Sequence, residues 1–213
     1  DLNVVDIDVV HWKNLSMRHF MRKYATTSTP VVIRGLPMTR TPWTFKHLKE
    51  KCGNQTAMLK QREVNSTNWG GLVDAEELKL GDFIDTFQVN KTRQKYYLHD
   101  WSLPNDCPKV MGEPPYNEFL MPRYFAGDYF QRVFPNGYQH TWPSLFIGAN
   151  GTQSDMHVDS GGTNFWLYLL SGKKEWRFYA QDDQINLYPI RETAKYVVKF
   201  FIFHLFPFLH RLT

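Results

Sequence analysis

The stretch that decides the fold reads Ser154-Asp155-Met156-His157-Val158-Asp159, followed by an apolar run over 163–171 and by Gly172 to Tyr179. The apolar run is rich in β-branched and aromatic residues, and its length is that of a buried strand. Ser171-Gly172-Lys173 can turn this run into a second strand over 174–180, so that the two strands form a hairpin. This part of the chain therefore predicts antiparallel strands around a site.

The residues that carry chemistry here are His157 and Asp159. Side chains two residues apart on a strand point to the same face, so an imidazole and a carboxylate would converge on one point. Two His and one carboxylate on one face of the metal are the ligands of many non-haem Fe(II) sites, and this pair supplies two of the three. Because His-x-Asp pairs also arise by chance, a surface pair without function is the alternative.

Lys174 lies on the predicted second strand of the hairpin. A lysine inside a barrel needs an anionic partner, because an unpaired buried ammonium is too costly, and a dicarboxylate cosubstrate would supply that partner. A solvated hairpin lysine is the alternative, and Lys173 is the rival position. The parity that Lys174 shares with Trp176 and Phe178 favours Lys174.

Three stretches together resemble the JmjC domain family, the cupin-type barrels of Fe(II)- and 2-oxoglutarate-dependent oxygenases. Tyr96-Tyr97-Leu98-His99-Asp100-Trp101 is similar to the Tyr-Leu-x-Asp-Trp stretch of small JmjC hydroxylases, and Pro30 to Leu36 resembles their opening strand. The third stretch joins Leu145 to Gly148 with Ser154 to Asp159, Asn164-Phe165-Trp166 and Gly172 to Tyr179. The resemblance extends over roughly residues 4 to 190.

This resemblance implies a fold that is mainly β with α. Helices of an N-terminal region (1–140) would brace a double-stranded β-helix barrel of the cupin or jelly-roll type, whose first strands lie in 141–190. Residues 191–213 form an atypical hydrophobic tail, so we expect the domain to end near residue 190 and the barrel to be incomplete at its C-terminal end.

The resemblance also implies cofactors and roles for individual residues. His157 and Asp159 would be ligands of Fe(II), Lys174 would pair with the distal carboxylate of 2-oxoglutarate, and Tyr97 and Ser154 would donate hydrogen bonds to the same cosubstrate. The alternative for Tyr97 is a core tyrosine. In this family the third ligand is a second His on a late strand, which would fall after residue 213, and His204 and His210 come too early. We therefore expect little or no oxygenase activity from the chain as given.

Three functions are compatible with the sequence. The first is hydroxylation or demethylation of a side chain on a protein substrate, by analogy with the family. The second is a catalytically inactive JmjC-like module that binds other proteins, which the missing third ligand favours. The third is a cupin of different chemistry with another metal, which would have no use for Lys174 and Tyr97.

Composition limits the possible fold and function of the chain less strictly than the motifs do. Its 213 residues, 42% of them hydrophobic, predict one globular domain with a sizeable core. The formal net charge is +4 without a long Lys/Arg run, so direct nucleic-acid binding is not expected. The sequence contains no apolar stretch of membrane-spanning length. The oligomeric state and the identity of the substrate stay open.

The cysteines and glycosylation motifs bear on the compartment. Cys52 and Cys107 can be two free thiols or one disulfide, and their spacing does not decide between them. Five Asn-x-Ser/Thr sequons begin at Asn14, Asn54, Asn65, Asn90 and Asn150, where the 12 Asn of the chain would give about one or two by chance. Sequence reasoning favours cytoplasm or nucleus, with the secretory-pathway lumen open.

Local patterns predict the remaining elements. Ser16 is expected to cap a helix with the apolar face Met17, Phe20, Met21 and Tyr24, and Thr41 to cap a second helix that stops at Gly53. Further predictions are strands over 4–10, 30–36, 57–64, 96–99 and 144–149, a turn at Gly70-Gly71, helices over 81–87 and 124–133, and an irregular loop over 105–122. The strand over 144–149 is expected to pair with the strand that carries His157.

Overall fold

The computed structural model describes residues 5–132, 137–159, 163–180, 182, 189–190 and 197–198. Its strands are β1 (Asp8–His11), β2 (Val31–Arg34), β3 (Thr56–Arg62), β4 (Leu72–Lys79), β5 (Tyr96–Ser102), β6 (Ser144–Gly148), β7 (Pro189–Ile190) and β8 (Val197–Val198). Its α-helices are α1 (Met17–Phe20), α2 (Phe45–Cys52), α3 (Leu80–Thr86), α4 (Leu103–Asp106), α5 (Pro108–Met111) and α6 (Tyr129–Arg132). The predicted combination of β with α is confirmed.

The chain divides into two compact units. One consists of residues 37–155, and the other joins residues 1–36 to residues 156–213. The first unit contains a four-stranded antiparallel sheet in the order β4-β3-β5-β6. Tyr97 on β5 lies between Lys60 on β3 and Gly148 on β6. This central position fixes the backbone of Tyr97 from both sides.

The core of the first unit packs helices α2 and α3 together. Leu48, Leu80 and Phe83 are almost completely buried, and Phe87, just after α3, is equally buried. The sequence prediction of α3 is confirmed, because Phe83, Ile84 and Phe87 recur at helical spacing and form its buried face. These apolar side chains supply most of the free energy that holds the helices in place.

The second unit begins with the parallel pair β1 and β2, which are joined through α1. The Oγ of Ser16 accepts a hydrogen bond from the backbone N–H of His19 at 3.1 Å, so the predicted cap is confirmed. Phe20 and Tyr24 are buried as predicted, whereas Met17 and Met21 are more than one third exposed. The helix continues beyond α1 as a π-helical turn over Met21–Ala25, which rotates its apolar face.

The start of α2 differs from the prediction by one turn. The cap is Thr44, not Thr41, because the Oγ1 of Thr44 accepts a hydrogen bond from the N–H of His47 at 3.2 Å. Thr41 instead donates a hydrogen bond to Glu118 at 2.8 Å. The end at Gly53 is confirmed. Either threonine satisfies the capping preference, and tertiary contacts decide which of them is used.

Three other regions differ from the prediction in their secondary structure. Residues 105–122 were expected to form an irregular loop, but α4 ends and α5 lies within this range. The helix expected over 124–133 is reduced to α6 in the described residues. β4 was not predicted, because its sequence Leu72-Val73-Asp74-Ala75-Glu76-Glu77-Leu78-Lys79 contains residues that are rare in strands.

The prediction of two strands, over 163–171 and 174–180, is wrong, because no described residue in these ranges belongs to a strand. The side chains of the apolar run are half-buried or exposed rather than buried, with Phe165 at 48% exposure. Residues 152–159 are also irregular, and the described partner of β6 is β5 rather than the His157 segment. A strand needs a hydrogen-bonded neighbour, and the described strands provide none for these segments.

Cys52 and Cys107 form a disulfide, which settles the alternative that their spacing left open. Cys52 ends α2, Cys107 lies between α4 and α5, and their Cα atoms are 5.7 Å apart. Both residues are about 1% exposed. The bond therefore ties two helical segments together inside the core of the first unit.

No helix in the described part of the chain has the length and apolar character that crossing a membrane requires. The predicted hydrophobic tail (191–213), with His204 and His210, lies outside the described residues except for β8.

Candidate functional site

His157 and Asp159 lie close together in the second unit. The Nε2 atom of His157 is 3.5 Å from the Oδ1 atom of Asp159, and their side chains are 17% and 30% exposed. Val158 between them is 55% exposed. The imidazole and the carboxylate thus lie close together, as predicted, although the backbone here is not a strand.

These two donor atoms fit a divalent metal ion as part of its ligand set. Two ligand atoms that bind one first-row metal at about 2.1 Å lie about 3 to 3.5 Å apart, which matches the distance between Nε2 and Oδ1. A neutral imidazole and a carboxylate are donors that suit Fe(II). Among the residues that the structure describes, no three His, Cys, Asp or Glu side chains are close enough to hold one ion. The described residues thus bring two candidate donor side chains together.

Lys174 is half-buried in the same unit, whereas its rival Lys173 is exposed. The Nζ atom of Lys174 lies 4.7 Å from the centre of the Trp176 ring, in a cation–π contact. Burial lowers the pKa of Lys174 from 10.5 to about 8, since water is removed from the charged form. Lys174 and Trp176 are two residues apart, and their side chains are in contact, as the alternation in the sequence predicted.

Trp176, whose ring contacts Lys174, belongs to an aromatic cluster with Phe165 and Phe178. The centroids of Phe165 and Trp176 are 4.9 Å apart, and the rings of Trp176 and Phe178 stack at 5.9 Å. Phe165 also stacks on Phe178 at 6.2 Å. Side-chain packing therefore holds residues 163–170 beside residues 174–179, as the predicted hairpin would, although no strand ladder joins them in the described residues.

Tyr97 belongs to the first unit, where it is 7% exposed on β5. Its ring packs edge-to-face against His99 at 5.1 Å and in a tilted arrangement against Phe146 at 6.2 Å. Burial raises the pKa of Tyr97 to about 12. The phenol therefore stays protonated throughout the physiological pH range and keeps its capacity to donate a hydrogen bond.

Tyr97 also lines a cavity of about 150 Å³ in this unit. The other lining residues are mostly polar or cationic, and they are Gln61, Arg62, Lys95, Gly151, Thr152 and Gln153. Such a lining suits an anionic or strongly polar small molecule. Ser154, the other residue predicted to contact the cosubstrate, is half-buried and follows directly on this lining without being part of it.

Sequence reasoning missed Arg62 and Asp155. The Nε atom of Arg62 donates to the Oδ1 atom of Asp155 at 2.6 Å, and the carboxylate is only 15% exposed. The backbone N–H of Asp155 donates to the carbonyl oxygen of Gly70 at 2.6 Å. The partners are too far apart in sequence for a local pattern to reveal them. They fix the chain two residues before His157.

Gly71 completes this anchor. Its φ of +66° lies in the left-handed region, and a Cβ atom there would collide with the carboxylate of Asp155. The predicted turn at Gly70-Gly71 is confirmed. The positive φ of Gly71 and the nearby carboxylate of Asp155 each favour a residue without a side chain at this position. The turn thus holds the chain that leads into the candidate ligands.

We expect Asp155→Asn to lower the free energy of unfolding by about 1–2 kcal/mol, because it removes a charge-assisted hydrogen bond and leaves Arg62 partly buried without its counter-ion. The matched control is Asp74→Asn, which breaks the more exposed ion pair with Lys60 and should change stability by less than about 0.5 kcal/mol. Urea unfolding of both variants tests the difference. Equal losses would show that the Arg62–Asp155 pair is no anchor.

Comparison with known proteins gives a family match over most of the chain. A family model described as "Cupin-like domain" matches residues 17–201. This range includes all the candidate site residues described above, from Arg62 on β3 to Phe178 in the aromatic cluster.

Similar sequences occur among curated proteins. "Lysine-specific demethylase JMJ21" of Arabidopsis thaliana is 25% identical over 78% of this chain, and "Bifunctional arginine demethylase and lysyl-hydroxylase psr-1" of Caenorhabditis elegans is 27% identical over 80%. "2-oxoglutarate and iron-dependent oxygenase JMJD4" of Mus musculus is 24% identical over 66%. The matched parts cover 16%, 40% and 33% of these three relatives, so the chain spans less than half of each.

Proposed function

Because the chain belongs to the cupin-like domain family, we propose that it is the ligand-bearing part of an Fe(II)- and 2-oxoglutarate-dependent oxygenase that acts on protein side chains. The observation that carries this proposal is the 3.5 Å approach of His157 Nε2 to Asp159 Oδ1. The resemblance to the JmjC family drawn from the motifs is confirmed by the relatives, whose names include oxygenases, demethylases and a hydroxylase.

In this proposal His157 and Asp159 are two ligands of the iron. Bound Fe(II) supplies the activation of dioxygen, which couples decarboxylation of 2-oxoglutarate to succinate with insertion of one oxygen atom into a substrate C–H bond. This chain brings the imidazole and the carboxylate together, with Nε2 and Oδ1 3.5 Å apart, so that both can bind one ion.

Lys174 is proposed to bind the distal carboxylate of 2-oxoglutarate. Its half-buried position beside Trp176 supports this role, because a carboxylate would neutralise an ammonium that burial otherwise disfavours. The Trp176 ring, which lies against the ammonium, would restrict water on one side of the ion pair and so strengthen it. Lys173 is exposed and has no such environment.

Tyr97 and Ser154 are proposed to donate hydrogen bonds to the cosubstrate, as the family resemblance implies. For Tyr97 the proposal is supported by a protonated phenol with a pKa of about 12 and by a cavity that also contains Lys95. Ser154 contributes the hydroxyl that the resemblance requires. Both roles remain predictions.

The substrate class is proposed to be a protein side chain. The relative from Caenorhabditis elegans is named for arginine demethylation and lysyl hydroxylation, and both reactions begin with oxidation of a C–H bond next to or within a basic side chain. Hydroxylation and demethylation thus differ in which C–H bond of the substrate is presented to the oxidant. The sequence of the loops that would present this bond does not distinguish the two reactions.

A second function is a JmjC-like module that binds proteins without catalysis. It is favoured by one observation, which is that the described residues bring two rather than three metal-binding side chains together. The two functions make opposite predictions for turnover.

Turnover of 2-oxoglutarate tests the choice between them. The natural protein, incubated with Fe(II), ascorbate, 2-oxoglutarate and peptides rich in Lys and Arg, is expected to form succinate and an oxidised peptide. His157→Ala should abolish succinate formation. His140→Asn is the matched control, because His140 is exposed and its φ of +61° is tolerated by Asn. No succinate above the level of His157→Ala would favour the binding module.

A further inference from the structure

The proposed oxygenase chemistry accounts for neither the five sequons nor the cysteines. All five sequon asparagines, Asn14, Asn54, Asn65, Asn90 and Asn150, are exposed. Four of them lie outside helices and strands, and Asn14 ends a single 3₁₀ turn over Trp12–Asn14. An N-linked glycan is bulky and needs such a surface position, so the fold accommodates a glycan at every one of them.

The number of sequons is stronger evidence for glycosylation than their exposure. Other described asparagines, such as Asn68 and Asn117, are exposed too, although they do not belong to a sequon. Five sequons among 12 Asn exceed the one or two that composition gives, and the excess is independent of the fold.

The Cys52–Cys107 disulfide is a second and independent observation. The two cysteines are the only ones in the sequence, so none is left as a free thiol. Structural disulfides form and persist in the secretory pathway and outside the cell, and they are rare in the cytosol and nucleus. A pair that is about 1% exposed within the core is structural rather than redox-active.

From these two observations we propose that this chain is an N-glycosylated protein of the secretory pathway, with glycans on Asn14, Asn54, Asn65, Asn90 and Asn150. The proposal departs from the cytoplasmic or nuclear location that sequence reasoning favoured. It is independent of the proposed oxygenase function, since neither glycans nor the disulfide involve His157, Asp159 or Lys174.

Both modifications have ordinary chemistry in that compartment. In glycosylation the side-chain nitrogen of Asn forms a bond to the anomeric carbon of a lipid-diphosphate-linked oligosaccharide. The bond between that carbon and the phosphate breaks, the lipid diphosphate leaves with the electron pair, and the amide nitrogen loses one proton. In disulfide formation the two thiols lose two protons and two electrons to a disulfide oxidant, which is reduced to a dithiol.

One of these positions bears on the proposed site. Asn150-Gly151-Thr152 forms the turn after β6, and Gly151 and Thr152 line the cavity beside Tyr97. A glycan on Asn150 would therefore project from the turn next to the cavity. It would limit approach by bulky molecules from that side while leaving small anions free to enter.

Peptide analysis of the natural protein tests the proposal. The protein is isolated from its source with thiols blocked by iodoacetamide, digested without reduction, and treated with peptide N-glycosidase in heavy-oxygen water. Release of a glycan converts Asn to labelled Asp, so we expect label at the five sequons and none at Asn68 or Asn117. We also expect a linked peptide containing Cys52 and Cys107.

Unmodified asparagines at all five sequons would overturn the proposal, whatever the state of the cysteines. Alkylated Cys52 and Cys107 in place of the linked peptide would overturn it as well. Site-by-site Asn→Gln variants of the natural protein, produced with its own targeting signals in eukaryotic cells, add a second measurement. Each should remove one step of the glycosidase-sensitive shift in gel mobility, whereas Asn68→Gln should remove none.

Discussion

Lys174→Ala is expected to weaken the binding of 2-oxoglutarate about thirty-fold or more, because loss of one member of a desolvated charge pair costs about 2–5 kcal/mol. The substitution removes the ammonium that lies over the Trp176 ring. Calorimetric titration of 2-oxoglutarate into the natural protein with Mn(II) under anaerobic conditions measures the effect. Lys173→Ala is the matched control and should change the affinity less than twofold. Equal effects of the two substitutions would contradict the role of Lys174.

The pH dependence of the same binding gives an independent check. Only the ammonium form of Lys174 attracts the carboxylate, and burial places the pKa of Lys174 at about 8 in the free protein. Affinity should therefore be constant below that pH and fall as the pH rises above it, by up to about tenfold per pH unit. Lys174→Ala should lack this component. A wild-type affinity that changes between pH 7 and pH 9 no more than that of Lys174→Ala would contradict the assignment.

Loss of the Cys52–Cys107 disulfide is the second large effect. The bond closes a loop with a sequence separation of 55, and the entropy of closing it in the unfolded chain predicts a stabilisation of about 4 kcal/mol. Reduction or the double substitution Cys52→Ala and Cys107→Ala should thus shift the unfolding equilibrium about a thousand-fold. Urea unfolding with and without reductant measures it.

The double alanine variant is also the control for reduction. Reductant should lower the unfolding midpoint of the wild type to near that of the variant and should leave the variant unchanged. A wild-type midpoint that does not move on reduction would show that the disulfide contributes nothing to stability.

Local sequence patterns gave correct predictions for features that depend on residues close together in the chain. The helix α3 follows from the spacing of Phe83, Ile84 and Phe87, and the cap at Ser16 follows from the hydroxyl that precedes an apolar turn. The approach of His157 to Asp159 was likewise expected from their spacing of two residues, and it is present although the segment is not a strand. These features need no knowledge of distant parts of the chain.

Features that depend on distant partners were not predictable. Thr41 and Thr44 are equally good caps in sequence, and a contact of Thr41 with Glu118 separates them. The pairing of Arg62 with Asp155 joins two segments that no local period connects. β4 is rich in acidic residues and forms because β3 provides a hydrogen-bonded neighbour.

The apolar run over 163–170 shows the converse error. Its composition is that of a buried strand, but composition supplies no partner, and the described residues hold it beside 174–179 through Phe165, Trp176 and Phe178. Side-chain packing therefore reproduces the predicted neighbours without the predicted ladder. The roles predicted for Tyr97, Ser154 and Lys174 depend on a bound cosubstrate and stay predictions.

The central claim is that His157 and Asp159 hold iron. Anaerobic titration of the natural protein with Fe(II) and 2-oxoglutarate, followed by the metal-to-ligand charge-transfer absorbance, tests it most directly. The account predicts a saturable band that His157→Ala and Asp159→Ala abolish and that His140→Asn leaves intact. A band that survives in His157→Ala, or its absence from the wild type, would contradict the claim.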